Sequence, residues 1–441
     1  MEGKNKRRIL KKGLWITGGV DAAVFALLLA VYTAVTLYLF INQCYQTSGF
    51  VSDMPDYVNK VAGIEGDYEF PYPLFFWLGR IFAVFSDAPM GTALATAFLN
   101  MLGICVSKYY MDRAAIEWNI FGSGNTGEKR ALRGLSVTFM VFALFILGNL
   151  YSPKGTAFFG FDYTYRCMGI YTPNPIWNAT YMAARPFAVI CFFEGVRLLK
   201  LIQSEAYNGS GKGFVNEVKN FSWREAVPFA VSLFLTTITK PSYTMVVVPA
   251  LAAVLLIQLV QTKGRSFSGA FALCLTMIPT GIALLYQFRG VFMGTNIKGE
   301  QTGIGFGIAK VWGYYSSNIP LSVIMGMALP ALVLALNIRE LKKNAYYRFA
   351  WLNWLVSAVM FLCLYEKGFR MLHANFSWGY MHGMFFVFMI TLLLIIKNTV
   401  QWVKSYKIIF AMAEWALLLY HLACGAYFLL YALQGNELSG F

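Results

Sequence analysis

Asp53 and Asp56 stand three positions apart in SDMPDYVNKVAGIEGDYEFPYP, a polar and acidic stretch from Ser52 to Pro73 that directly follows the first long apolar run. Ser52 is a helix-capping residue type, and Pro55 falls in the first turn, where a missing N–H costs nothing. The spacing then places both carboxylates on one helical face. Met54, Tyr57, Val58, Val61 and Ile64 supply a complementary apolar face. This predicts a helix lying along a membrane surface with its acids at the lipid–water boundary. A carboxylate held there can take a proton from a hydroxyl. The same acids can also do no more than complement a helix dipole. Asp-x-x-Asp can hold a divalent cation through water, but nothing in the sequence requires one.

The elements that must position these acids are apolar. Of 441 residues, 58% are hydrophobic and only 13% charged, and the mean hydropathy is +0.55; such a chain reads as a polytopic, all-α membrane protein. Lys and Arg number 36 against 21 Asp and Glu, a net charge of +15. The basic residues fall mostly in short loops between apolar runs, which signals topology and argues against a nucleic-acid partner. The seven cysteines show no ligand spacing and mostly lie inside apolar segments, so neither a zinc site nor a disulfide framework is expected. The basic start MEGKNKRRILKK precedes an apolar run too long for a cleaved signal peptide and reads as a cytoplasmic tail and signal anchor.

Taken in order, the apolar segments predict about eleven transmembrane helices in one multispan domain, residues 1–441. They are Val20–Ile41, Ala88–Tyr110, Gly134–Leu150, Tyr181–Leu201, a pair Val227–Thr239 and Tyr243–Val260 broken at Lys240-Pro241-Ser242, Ser268–Phe288, Leu321–Ile338, Phe349–Leu364, Met381–Ile396 and Ile408–Leu433. Pro73–Phe85 is too short to cross a bilayer that needs about 20 apolar residues and is expected to lie at the interface. Six basic residues before the first run put the N-terminus in the cytoplasm. Residues 42–87 then form an outer catalytic loop with interfacial helices, 88–433 the remaining bundle, and 434–441 a short outer tail. The GSGNTG turn within 111–133 lacks the Lys-Ser/Thr ending of a phosphate loop. A broken span with a charge at its tip, as at Lys240, is tolerated only beside a polar cavity.

This topology gathers Asp53, Asp56, Arg80, Asp162, Arg166, Arg185, Lys240, Arg289, Glu366, Arg370 and His373 at the outer face. Charges that border apolar helices are candidates for function, with structural ion pairs as the plain alternative. Acids from one loop facing cations from several others suit transfer of a sugar from a lipid-linked phosphate. One carboxylate takes the acceptor's proton while cations hold the departing phosphate. In particular, Arg185, Lys240, Arg289 and Arg370 are expected to converge.

The order of parts resembles the GT-C superfamily of membrane glycosyltransferases: a first span, an outer loop with an acid, interfacial helices introduced by a Pro-aromatic motif (PYPLFFWL), then many further spans. PNPIWNATYMAARPF, TKPSY and EKGFRMLHANFSWGY are similar to motifs of bacterial membrane proteins of the surface-polysaccharide type. The resemblance implies a multi-pass enzyme of the cytoplasmic membrane, an inverting transferase with Asp53 or Asp56 as catalytic acid. Its partners would be a polyprenyl-phosphate sugar donor, a glycan or lipid acceptor and membrane lipids, with no defined cofactor. The chain ends soon after its last predicted span, so acceptor choice is expected to fall to the loops. A polysaccharide polymerase or ligase shares these features. A lipid-linked glycan flippase or transporter is a rival from another class, against which stand the lack of an internal repeat and charges at one face instead of the midplane. Tyr163, Tyr165, Tyr171, Trp177, Trp378 and Tyr380 suit either sugar stacking or an interfacial aromatic belt. Asn178 and Thr180 form a glycosylation-type triplet read as incidental, and His382 and His421 read as packed histidines.

Overall fold

The computed structural model describes residues 19–64, 70–122, 127–150, 157–158, 161–162, 172–208, 213–292, 302–402 and 408–436. These form a nearly all-α protein. The first helices are α1 (Val20–Cys44), α2 (Met54–Ala62), α3 (Leu74–Ala83), α4 (Ala88–Glu117), α5 (Gly127–Ile146) and α6 (Ala179–Asn208). Next come α7 (Phe214–Lys219), α8 (Trp223–Thr239), α9 (Ser242–Gln261), α10 (Phe267–Thr276) and α11 (Ile278–Phe292). The last are α12 (Trp312–Tyr315), α13 (Ile319–Leu336), α14 (Glu340–Lys343), α15 (Ala345–Cys363), α16 (Asn375–Trp402) and α17 (Ile408–Leu433). Two short antiparallel pairs complete the described chain: β1 (Ala157–Phe158) with β2 (Phe161–Asp162), and β3 (Ile304–Phe306) with β4 (Leu364–Glu366).

Every apolar segment expected to span is helical, but the count of eleven spans goes beyond what the helices show individually. Six are long and apolar enough to cross a membrane: α1, α4, α9, α13, α16 with the turn before it, and α17. The pair α10 and α11, bent by 50° at their junction, would make a seventh if taken as one span. The others fall short for chemical reasons. The first half of α5 carries Glu128, Lys129, Arg130 and Arg133, α6 carries five charged residues including Glu194 and Arg197, and α15 carries Arg348 and Asn353 besides two Tyr and two Trp. With 17 residues, α8 is too short.

α16 is the axle of the bundle. It is largely apolar, and every residue from Phe376 to Ile396 is buried, so this helix, unlike the other long apolar ones, is covered all round by its neighbours. Around it α5, α9, α13, α15 and α17 close the main core. Several charges inside the bundle are paired. Lys108 lies between Asp112 (2.5 Å) and Asp21 (3.5 Å), and Thr138 donates to Asp21 (2.8 Å). Glu194 accepts from Arg197 (2.6 Å) and from the Tyr110 hydroxyl (2.9 Å). These links tie α1, α4, α5 and α6 together, and breaking one would leave a buried charge uncompensated.

A second, smaller core seats the expected interfacial helices on one end of the bundle. The apolar face of α2 is buried through Met54, Tyr57, Val58 and Val61, while Ile64 beyond the helix end is exposed. Two glycines allow this nesting. A Cβ at Gly79 would meet Val61 Cγ2 at 2.7 Å, and one at Gly91 would meet the Gly79 carbonyl oxygen at 2.5 Å, so α2, α3 and α4 approach at backbone distance. Asp87 caps α4 by accepting from the Met90 N–H (2.8 Å) and also receives the Tyr45 hydroxyl (2.8 Å), which fixes the start of α4 to the end of α1.

Candidate functional site

Asn178 is the hub of the site. It precedes α6, and its Oδ1 accepts from the Tyr181 N–H at 2.9 Å, an N-cap bond that satisfies one of the helix's free donors. The same oxygen accepts from Lys240 Nζ at 3.0 Å. Both partners can only donate, so the amide orientation is unambiguous. Its Nδ2 then faces the other way, donating to Asp53 Oδ2 and to the Tyr57 hydroxyl, each at 2.7 Å. Thr180 Oγ1 completes the cluster, 3.1 Å from Lys240 Nζ and 3.3 Å from the Tyr57 hydroxyl.

Each group is delivered by a different device. Asp53 immediately precedes α2, where Ser52 Oγ accepts the Met54 N–H (3.2 Å), and Pro55 occupies the first turn as the sequence predicts. Asn178 sits at the end of a buried strap, residues 172–178. Asn174 anchors the strap by donating to the carbonyls of Leu144 (2.9 Å) and Leu147 (2.8 Å) at the end of α5. Lys240 extends from the break between α8 and α9 that Pro241 enforces, and its ammonium lies 4.4 Å from the centre of the Trp378 ring at the start of α16.

Two adjoining chambers meet at these residues. The polar one, about 310 Å³, is lined by Asp53, Asp56, Tyr57, Asn178, Lys240 and Trp378, among others. The apolar one, about 210 Å³, runs between α9 and α11 past Met245, Leu284, Phe288 and Val291, with Glu366 and Arg370 at its border. Phe70, Tyr72, Lys240, His373, Asn375 and Trp378 line both. The β3–β4 pair sets Ile304 opposite Glu366. A 3₁₀ turn, Gly368–His373, follows and carries Arg370 and His373 to the chambers. Asn375 Nδ2 donates to Glu366 Oε2 at 2.6 Å.

Burial raises the Asp53 carboxyl above its ordinary value, opposed by the Asn178 hydrogen bond and the Lys240 charge. Burial lowers the Lys240 ammonium to about 7, with the charge of Asp53 acting in the opposite direction. The pair thus consists of a carboxylate more basic than usual beside an ammonium more acidic than usual. Burial also raises Glu366, against the Asn375 hydrogen bond and the Arg370 charge. Among the described residues no group of three or more His, Cys, Asp or Glu side chains is placed to hold a metal ion.

Of the residues singled out in sequence, Asp53 and Asp56 line the polar chamber, Glu366 and Arg370 the apolar one, and Lys240 and His373 both. Three others lie elsewhere. Arg80 donates to the carbonyls of Val61 (3.3 Å) and Lys60 (3.0 Å) and so closes the end of α2. Arg289 is exposed on α11 and lines neither chamber. Arg185 is 1% exposed, within 5.3 Å of the ring centres of Phe145, Tyr181 and Phe385, and donates to Asn174 Oδ1 (3.0 Å). It therefore braces the strap from behind, and the expected convergence of four cations reduces to Lys240 and Arg370. Asp162 lies in β2; its side chain, together with Arg166, Tyr163, Tyr165 and Tyr171, is outside the described residues.

The geometry adds to two of the sequence readings. Asn178 and Thr180 are central to the site; the available signal was a capping residue directly before an apolar run, next to an aromatic. Tyr380 packs in the core against Trp312 and Phe361, away from either chamber. His421 is packed and bonded as expected, with Nδ1 2.7 Å from the Gly148 carbonyl oxygen. His382 stacks on Tyr181, with ring centres 4.2 Å apart. No protein-family model, no curated protein and no solved structure matches the chain.

Proposed function

We propose that this chain is a membrane glycosyltransferase that moves a sugar from a polyprenyl-phosphate donor to a glycan or lipid acceptor. The observation that carries the reading is the joining of Asp53 and Lys240 through Asn178 where a polar and an apolar chamber meet. In the proposed reaction an acceptor hydroxyl in the polar chamber attacks the anomeric carbon of the donor. Asp53 takes the hydroxyl proton as the new C–O bond forms. The bond between the anomeric carbon and the phosphate oxygen breaks, and the phosphate leaves with the electron pair. Lys240 and Arg370 stabilise that charge, so the leaving group needs no proton. Attack from the face opposite the leaving group inverts the anomeric centre. The apolar chamber between α9 and α11 suits the first part of the polyprenyl chain, and Asp56 orients the acceptor.

The reading includes eleven crossings, with α8 and α9 as one out-and-back pair, the N-terminus inside and the site outside. It is supported by α3, whose Trp77 (53%) and Ile81 (58%) are exposed together with Val84 and Phe85 just beyond it. Such a face suits the lipid boundary. The test uses the full chain in vesicles with a labelled polyprenyl-phosphate sugar and candidate acceptors. Transfer that is abolished by both Asp53→Asn and Lys240→Gln is expected; no transfer by the wild-type protein to any glycan or lipid acceptor would overturn the proposal.

A further inference from the structure

At the far end of α9 from Lys240 lies the largest of these cavities, about 800 Å³, enclosed by α6, α9, α13, α14 and α15. Its walls are mostly apolar, with Leu199, Val254, Leu334, Phe349 and Leu352 among them. Lys200, Lys342 and Arg348 are the charged residues that line it, and no Asp or Glu does so. The nearby acids are engaged by other partners or by one of these cations: Glu340 pairs with Lys397 at 3.0 Å and Glu117 with Lys200 at 2.9 Å. Arg348 spends one Nη1 group on the carbonyls of Leu341 (3.0 Å) and Lys342 (2.8 Å). Its remaining N–H groups add donors to a positive rim.

Two further observations define the occupant. Ile257 on α9 and Leu355 on α15 line the cavity and are 55% and 53% exposed, so it opens sideways between α9 and α15. A soluble anion would leave those walls wet, whereas an acyl chain covers them. Gln258 also lines the cavity and is 5% exposed; its Nε2 donates to the Leu199 carbonyl at 3.1 Å, and its Oε1 has no partner. A buried acceptor left unpaired is costly and calls for a donor, such as a headgroup hydroxyl.

We propose that this cavity binds an anionic phospholipid, with its phosphate on Lys342 and Arg348, a headgroup hydroxyl towards Gln258 and an acyl chain between α9 and α15. The basic rim selects against a choline headgroup, which would bring a cation to cations. The proposal rests on membrane insertion of the bundle and not on the transferase reading.

The test is retention of lipid by the purified full chain, measured by native mass spectrometry after incubation with phosphatidylglycerol or phosphatidylcholine, together with thermal unfolding in the same lipids. One phosphatidylglycerol per chain should be retained in preference to phosphatidylcholine, with a higher unfolding temperature. Lys342→Gln should weaken phosphatidylglycerol binding roughly fivefold, as expected for one cation at an anionic headgroup, and leave phosphatidylcholine unchanged. Ile257→Trp, at an exposed wall position, should block the chain of either lipid without disturbing the core. Equal retention of the two lipids, or unchanged phosphatidylglycerol affinity in both variants, overturns the proposal. So does equal stabilisation by inorganic phosphate alone. A chain that fails to transfer sugar but still selects phosphatidylglycerol leaves it standing.

Discussion

Asp53 and Lys240 are held by opposite ends of one amide: Asn178 Nδ2 is 2.7 Å from the Asp53 carboxylate, and Asn178 Oδ1 is 3.0 Å from the Lys240 ammonium. The carboxylate and the ammonium are thereby kept near each other without a direct ion pair, and each remains able to meet a substrate. Were they to pair directly, each would neutralise the other. The amide, itself fixed as a helix cap, spaces the proposed base from the cation proposed to hold the donor phosphate.

Asp53→Asn should lower transfer on the order of a hundred- to ten-thousand-fold, the usual range for loss of a well-placed base, while the protein still folds. Asp56→Asn should cost less, because Asp56 is exposed and in the proposed reaction orients the acceptor instead of taking its proton. Turnover from a labelled polyprenyl-phosphate sugar, at matched expression, measures both. Near-normal rates in the two variants would remove the loop from the mechanism.

The pH profile of transfer should be bell-shaped. Asp53 must be ionised, and its carboxyl is raised by burial, so activity falls as pH drops through a value above the ordinary carboxylate range. Lys240 must be protonated, and burial brings it to about 7, so activity falls again as pH rises through that value. Lys240→Arg keeps its charge at any such pH and should extend the alkaline limb. An unchanged alkaline limb in that variant would assign it to another group.

Asn178 has two separable roles. Asn178→Ala removes the cap of α6 and the bridge together, and should cost about 1 kcal/mol of stability as well as activity. Asn178→Ser retains a capping hydroxyl but is too short to span from Asp53 to Lys240. It should unfold near the wild-type temperature in detergent and still transfer poorly. If Asn178→Ser transfers normally, the bridge has no functional part.

Arg185→Gln should act on stability. The guanidinium is buried among three rings and holds Asn174, so its loss leaves an unpaired buried acceptor and poorly filled space, on the order of 2–4 kcal/mol. Thermal unfolding in detergent should show a clear drop, in contrast to Lys240→Gln. Intact stability with lost donor binding would return Arg185 to the phosphate site.

A cysteine at position 60, in place of Lys60, should react with an impermeant thiol reagent applied from outside intact cells. Lys60 lies in the last turn of α2, the helix that carries the candidate base. Labelling only from the cytoplasmic side would sink the orientation and the site's placement together.

By itself the sequence determined the apolar character, the helical segments and the two short helices after the first of them. Those depend on local periodicity, on Pro55 and Pro73, and on runs whose length is legible residue by residue. It also determined that Asp53 and Asp56 stand together at the start of α2, where both line the polar chamber, because three-residue spacing favours it. What only the tertiary structure decided is which distant groups meet them. Charge at an apolar boundary looked alike for Arg185, Lys240 and Arg289, yet one braces a strap, one enters the chamber and one is exposed. Helix rotation and the break at Pro241 separate those outcomes, and neither is a local property. Asn178 was hidden for the same reason: an amide that caps a helix becomes a bridge only when packing carries a carboxylate from one loop and an ammonium from another to its two ends.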